Sequence, residues 1–493
     1  MDNKDLRQET VSSMIWNAFQ RFGTMSISFI SNIVLARILV PDDFGCIGML
    51  SIFIVLSEVF IDGGFGSALI QKKEVNQVDY STIFYWNLFI AVCLYIVLFI
   101  TAPFIAVFYN MPNLQSILQV ISIVLIINGF SVIHTTILTK QLKFKLIAKV
   151  NLIASVIGLV ASIVAALFGL GVWSLVIKTI LSGLIVAVLL WKYNEWRPLF
   201  IFSWDSLQSL FSFGGLMLLS RLLNTLFENL QGLVIGKFFT ARDLGFYSQA
   251  RRLDEIPSVS ISKIVTNVSF PVFSKISDID SLRNAVQKNI LCTTYLLFPL
   301  EILLIVVADS LIVFLFSDKW IESIPYFRIL CIYSMFVSLN AINTNVYIAM
   351  GKSGLYFWIQ LIKKVLGIAL IWVGLQFGVI GIAWSLSISG ILWWVIAAIV
   401  NGKILNYGFI RQSLDVLPSF GISICVGILT FLLSQCLSGW SLAKLVILTI
   451  EYVCSFITLS YLFKLSPLFV YTSIFVSYLK RMKCYDVIRK IYK

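Results

Sequence analysis

The sequence predicts an all-α polytopic membrane protein with about fourteen transmembrane helices, and three observations predict it. Of 493 residues, 59% are apolar and only 12% are charged, whereas a soluble domain carries about 25% charge. Apolar runs long enough for a roughly 20-residue bilayer-spanning helix recur along the whole chain, so no stretch is left for a soluble domain of ordinary size. Basic residues sort into alternate connections. The net charge, 37 − 24 = +13, is therefore topological, and soluble enzymes, nucleic-acid binders and secreted scaffolds are excluded.

Read from turn signal to turn signal, the spans fall near residues 11–37, 44–70, 80–109, 114–139, 147–168, 171–193, 206–239, 243–273, 286–308, 324–350, 355–376, 379–402, 414–437 and 441–463. The polar start, residues 1–10, leads into an apolar run that ends at Leu39 and Val40 without a small-residue cleavage site, so span 1 is expected to be retained. Span 2 carries Glu58 and Asp62 one turn apart, and span 4 carries the single histidine, His134. The longest polar stretches, 193–206 and 274–287, could hold a surface helix but not a catalytic domain. After span 14, the apolar stretch 468–479 is too short to span and precedes the basic run 480–483, which fits an amphipathic segment on anionic lipid. The charge sort assigns 25 basic residues to the stretch before span 1, to alternate connections and to the tail, counting Lys363 and Lys364 of 355–376 with them, against 6 in the opposite connections. Both termini are expected in the cytoplasm.

An internal repeat organises these spans. Residues 29–47 align without a gap on 229–247, matching Arg37 with Lys237, Asp43 with Asp243 and Gly45 with Gly245 at an offset of 245 − 45 = 200. Further on, Gly171, Trp173, Ser174 and Leu175 match Gly381, Trp384, Ser385 and Leu386. Six spans per repeat is an even number, so the repeats are parallel and imply two lobes around a central cavity. The expected organisation is an N-lobe at 1–193, a cytoplasmic linker at 194–205, a C-lobe at 206–402, peripheral spans 13 and 14 within 403–463, and a basic amphipathic cytoplasmic tail at 464–493.

Six basic residues fall inside spans: Arg21, Lys178, Arg221, Arg251, Arg252 and Lys263. Each costs about 2.5–3.5 kcal/mol at mid-span, so each should face a partner or a wet cavity. Arg21 and Arg221 stand 200 apart, the repeat offset, and each begins a polar stripe at helical spacing: Asn17, Arg21, Thr24, Ser28 and Ser31 in span 1, and Arg221, Asn224, Glu228 and Gln231 in span 7. The competing structural reading pairs Arg21 with Glu58 or Asp62 and Arg251 with Asp254 or Glu255. Ser258 and Ser262 stand where the second repeat would match those span 2 acids, so Arg221 is expected to lack a carboxylate partner. A basic, wet cavity containing Arg21, Arg221, Arg252, Lys178 and Lys263 would suit an anionic ligand, because guanidinium offers a planar fork matching phosphate. Glu58, Asp62 and His134 are the candidates for coupling to H+ or Na+, with a packed polar group as the competing reading of His134.

Other chemistry is not supported. The eight cysteines lack metal-type spacing and most lie in apolar runs, so they read as packing residues rather than disulfides or zinc ligands. The stretch 351–353 resembles the end of a phosphate loop, but Val346 stands where its first glycine is required. No catalytic residues, metal or cofactor are expected.

Residues 35–50 (LARILVPDDFGCIGML), 60–71 (FIDGGFGSALIQ) and 78–87 (VDYSTIFYWN), with 247–276 in the second half, resemble bacterial polysaccharide transporters of the Wzx type. The resemblance implies the multidrug/oligosaccharidyl-lipid/polysaccharide exporter fold, a V-shaped pair of six-helix lobes, here with two extra C-terminal helices. It implies a non-enzymatic flippase moving undecaprenyl-pyrophosphate-linked oligosaccharide across the bacterial inner membrane, in contact with membrane lipid and other polysaccharide-assembly proteins. A drug or ion antiporter of the same superfamily is the nearest alternative. A membrane-bound polysaccharide-assembly enzyme is disfavoured by the short outward loops.

Overall fold

The computed structural model describes residues 3–437 and 441–481, and among these every regular element is helical. In order they are α1 (Asn3–Ile38), α2 (Pro41–Asp62), α3 (Phe65–Gln71), α4 (Gln77–Phe108), α5 (Asn113–Ile121), α6 (Ile123–Lys140), α7 (Phe144–Leu167), α8 (Val172–Tyr193), α9 (Trp204–Phe238) and α10 (Ala241–Phe273). There follow α11 (Ile279–Phe316), a 3-10 turn at Asp318–Ser323, α12 (Ile324–Ala349), α13 (Ser353–Leu375), α14 (Gly378–Leu405), α15 (Phe409–Cys436), α16 (Ser441–Leu462) and α17 (Ser466–Arg481).

Among the described residues, eleven helical segments are long and apolar enough to cross a membrane; α2 with α3, and α5 with α6, each count as one. The protein is thus an integral membrane protein. The sequence's fourteen spans also include α1, α9 and α10, which are 36, 35 and 33 residues long. Their length suffices for a crossing, but the polar stripes and in-span charges lower their hydropathy.

The chain divides into two compact units, Met1–Ser248 and Gln249–Lys493. In the first, α1 packs on α7, α7 on α8, α4 and α8 on α6, and α2 on α9. Within this unit the repeat is visible atom by atom. Asp43 accepts from the Val40 amide (3.2 Å) at the start of α2, and Asp243 accepts from the Thr240 amide (3.1 Å) at the start of α10. The two starts cross at their glycines. A Cβ on Gly45 would lie 1.7 Å from the Ala241 carbonyl oxygen, and one on Gly245 would lie 2.0 Å from that of Pro41. Both contacts are with backbone, so no rotamer change can make room for a side chain at either position.

The stretch 194–203 forms no helix, against the expectation that it could. Its polar groups are held by α4 instead: the Leu199 amide donates to Ser81 (3.0 Å), the Ser203 amide to Thr82 (3.1 Å), and the Trp196 indole to Gln77 (2.6 Å). These bonds satisfy backbone groups that a helix would have paired internally. The other long polar stretch is taken up by α11, whose first turn is capped by Asp278 accepting from the Ser281 amide (2.8 Å). The Ser281 hydroxyl, and after it the Ser281 amide, hold the exposed Asp278 carboxyl below its usual range.

In the second unit α11 packs on α12, α15 and α16, and α14 on α12 and α13. Leu468 and Tyr471 of α17 pack against this core, and the Tyr471 hydroxyl donates to the Cys292 carbonyl (3.0 Å). Residues 482–493 of the basic tail lie outside the described residues. Lys363, placed in a connection by the charge sort, is inside α13 and 2% exposed, donating to the Asn340 side-chain carbonyl. An amide oxygen within reach is what permits an ammonium there.

Candidate functional site

A polar cavity of about 470 Å³ lies within the first unit, lined by α2, α3, α6 and the middle of α9. The local sequence dictates its form. Gly63 and Gly64 have φ of 55° and 74°, left-handed values that end α2 and start α3 after a sharp break. Asp62, the last residue of α2, is thereby left at a helix C-terminus, where the exposed carbonyls disfavour a negative charge.

Arg221 of α9 answers that charge. Its Nη1 donates to Asp62 Oδ2 and its Nη2 to Ser67 Oγ (3.3 Å). One turn before Asp62, Glu58 accepts from the Asn128 amide nitrogen at 2.8 Å. Across the cavity, α6 contributes Ser131, Thr135, Thr136 and Thr139. Their hydroxyls donate back to helix carbonyls, those of Asn128, Ser131, Val132 and Thr135. The hydroxyl oxygens are consequently left as acceptors. The cavity thus offers one guanidinium and many oxygen acceptors, a lining suited to ligands rich in hydroxyl donors.

This arrangement corrects one expectation. Arg221 does have a carboxylate partner, because α9 packs on α2 and brings it to Asp62, one of the two acids that the competing reading paired with Arg21. The charged lining of this cavity within the first unit is Glu58, Asp62 and Arg221, a formal sum of +1 − 2 = −1.

The remaining candidates lie elsewhere. Arg21 is exposed on α1, and its guanidinium makes no hydrogen bond or ion pair among the described residues. Asn17 and Ser28 are exposed on the same helix, and Thr24 donates to the Gln20 carbonyl (2.8 Å). Lys178 of α8 donates to Ser31 of α1 (2.5 Å). On α9, Asn224 and Glu228 are exposed, while Gln231 is buried and accepts from the Tyr247 hydroxyl (2.7 Å). Arg252 and Lys263 are exposed on α10, and Arg251 pairs with Glu255 (2.8 Å).

His134 faces away from the cavity. It is fully buried, its ring 4.8 Å from that of Trp191 and 5.3 Å from that of Trp196, and neither ring nitrogen has a hydrogen-bond partner. This matches its reading as a packed group. Sequence reasoning missed Asn128 and the α6 hydroxyls, although Asn128, Ser131, Thr135 and Thr139 recur at helical spacing.

Comparison with known proteins follows this geometry. The family model described as "Polysaccharide biosynthesis protein" matches residues 34–325. The teichuronic acid biosynthesis protein TuaB of Bacillus subtilis (strain 168) is 28% identical over 386 residues, 76% of this chain and 79% of that protein. The lipopolysaccharide biosynthesis protein WzxC of Escherichia coli (strain K12) is 25% identical over 443 residues, 88% of this chain and 89% of the other. Among solved structures, the lipid II flippase MurJ in an inward closed conformation aligns with a TM-score of 0.74 at 16% identity, covering 91% of this chain and 99% of that one. An inward-facing multidrug resistance MATE family transporter of the MOP superfamily aligns with a TM-score of 0.58 at 15% identity, covering 83% and 98%. At such identities the structural likeness is one of fold, and it agrees with the exporter fold that the sequence motifs implied. The family match spans more than half of the chain, and the protein therefore belongs to the polysaccharide biosynthesis protein family.

Proposed function

We propose that the protein is a flippase that carries undecaprenyl-pyrophosphate-linked oligosaccharide from the cytoplasmic to the periplasmic leaflet of the bacterial inner membrane by alternating access. The observation that carries this reading is the cavity of Glu58, Asp62, Asn128 and Arg221, a polar chamber in a chain that is otherwise overwhelmingly apolar. Sugar hydroxyls find acceptors on α6 and on the carboxylates, while Arg221 is the group that meets phosphate oxygens. Family membership supports the substrate class, and the likeness to MurJ, a lipid II flippase, and to WzxC, a lipopolysaccharide biosynthesis protein, agrees with it.

In this reading Asp62 holds Arg221 while no cargo is bound, and phosphate competes with Asp62 for the guanidinium. Uptake of H+ or Na+ at Asp62 frees Arg221 and so couples cation entry to cargo binding. Both termini lie in the cytoplasm, no covalent chemistry is performed, and other polysaccharide-assembly proteins supply and consume the lipid-linked unit.

The test is the leaflet distribution of undecaprenyl-linked glycan in cells lacking the protein. Accumulation in the inner leaflet, relieved by the wild-type gene, supports the flippase. Normal appearance in the outer leaflet removes it. A second reading, a drug or ion antiporter, is favoured by the excess of carboxylates in the cavity; efflux of cationic dyes by purified protein in vesicles, with no glycan phenotype in cells, would establish it instead.

A further inference from the structure

The second unit contains a sealed cluster that the transport reading does not use. Asp254 of α10, Glu301 of α11 and Cys331 of α12 are each buried, at 2%, 0% and 0% exposure, and one carboxylate oxygen from each acid and the thiol sulfur all lie within 4.8 Å of one another. Ser334, nearly one turn beyond Cys331, donates to Asp254 Oδ2 at 2.7 Å. Apart from the Cys331 thiol, neither oxygen of Glu301 nor Asp254 Oδ1 has a hydrogen-bond partner among the described residues. Among the described residues no basic side chain forms an ion pair with either acid; Arg251 is paired with Glu255. Two carboxyls facing each other in an apolar interior, with three oxygens short of partners among the described residues, must either be held neutral or be matched by a cation.

We propose that Asp254, Glu301 and Cys331 are the ligands of a divalent metal ion held inside the second unit. The spacing fits: ligand atoms of a tetrahedral zinc site stand about 3.3–3.8 Å apart when the metal bonds are about 2.0–2.3 Å long, a contraction that small side-chain rotations accomplish. The donor set fits as well, since zinc accepts carboxylate oxygen and thiolate sulfur together. The ion offsets two of the three negative charges that the carboxylates and the thiolate carry once bound, and the thiol proton leaves to solvent as the sulfur binds. The Ser334 hydroxyl orients Asp254, as groups behind metal ligands commonly do. Three protein donors leave one coordination position for water or for an oxygen of the chain. The spacing of cysteines along the sequence could not reveal this site, because its ligands come singly from three helices. The proposal stands whether or not the protein moves a glycan.

The experiment uses the purified full-length protein in detergent, stripped with a chelator and then given Zn2+ or Co2+. One equivalent of Zn2+ per chain is expected to be retained, with affinity falling at least tenfold in Asp254→Asn and in Glu301→Gln. With Co2+, a near-ultraviolet sulfur-to-metal charge-transfer band is expected in the wild type and not in Cys331→Ser. The two amide variants remove buried negative charge and Cys331→Ser is nearly isosteric, so a failure of one to fold leaves the others to decide. Zn2+ retention equal to that of the Asp254→Asn/Glu301→Gln double variant overturns the proposal. So does a charge-transfer band that survives Cys331→Ser. Thermal stability that responds to pH or Na+ but to neither metal also overturns it, and makes the cluster an acid pair sharing a proton.

Discussion

Each unit holds a pair of carboxylates inside its helices, and the two pairs are treated oppositely. Glu58 and Asp62 open onto a cavity, where Asn128 and Arg221 answer them. Asp254 and Glu301 are sealed from solvent and answered by one serine hydroxyl. The exposure of Arg221 and Asp62 allows solvent screening of the first pair, so its ion pair can break and re-form at low cost, which a binding site requires. The second pair has no such screening, and its charge must be removed or matched by something permanently held. The contrast separates a site built for exchange from a site built for retention.

The largest effect expected from breaking this contrast is in the sealed pair. With metal chelated, the Asp254→Asn/Glu301→Gln double variant should be more stable than the wild type by about 1–3 kcal/mol, the order of the penalty for a buried group left unsatisfied, which is larger for a charged group than for an amide, as read by thermal unfolding in detergent. The same neutralisation at Glu58 and Asp62 should give no comparable gain. Second in size is transport. Arg221→Met should reduce export of lipid-linked glycan at least tenfold, about 1.4 kcal/mol, whereas Arg21→Met, which loses no protein partner, should reduce it less; equal losses would return Arg21 to the site. Smaller is the Arg221–Asp62 pair itself. A double-mutant cycle with Arg221→Met and Asp62→Asn should give a stability coupling of about 0.2–1 kcal/mol, typical of an exposed pair, because Arg221 is 45% and Asp62 28% exposed. Smallest is Glu58→Gln, which keeps an acceptor for Asn128 and should change stability by less than about 0.5 kcal/mol.

Much of the fold was legible because a bilayer imposes lengths and charge rules that a sequence must obey. The site was legible in part. Glu58, Asp62 and Arg221 stood out as charges inside spans, but which carboxylate Arg221 meets depends on how α9 packs against α2, and the two residues are 159 apart in the chain. The competing pairing of Arg21 with Glu58 or Asp62 rests on a similar depth in the membrane alone. Depth fixes one coordinate and leaves the azimuth of each helix open. The hydroxyls of α6 were overlooked for another reason: serine and threonine are ordinary in membrane helices, since each satisfies itself on its own backbone. Glu301 carried no signal except its charge, and nothing in its neighbourhood along the chain points to Asp254 or Cys331. The repeat, by contrast, was read at Gly45 and Gly245 from a match of only a few residues, and the structure shows why those few persist.

The crossing of Gly45 and Gly245 has a genetic consequence. Each glycine leaves room for the backbone of the other repeat copy, at Ala241 and at Pro41. A side chain gained at either position therefore meets peptide atoms that no codon change at the facing residue can remove. Second-site suppressors of such a mutation should not arise at Ala241 or Pro41, and reversion to glycine should dominate any selection for recovery. Elsewhere the two copies are at liberty to drift apart. At this crossing each half of the gene stands as guarantor for the other.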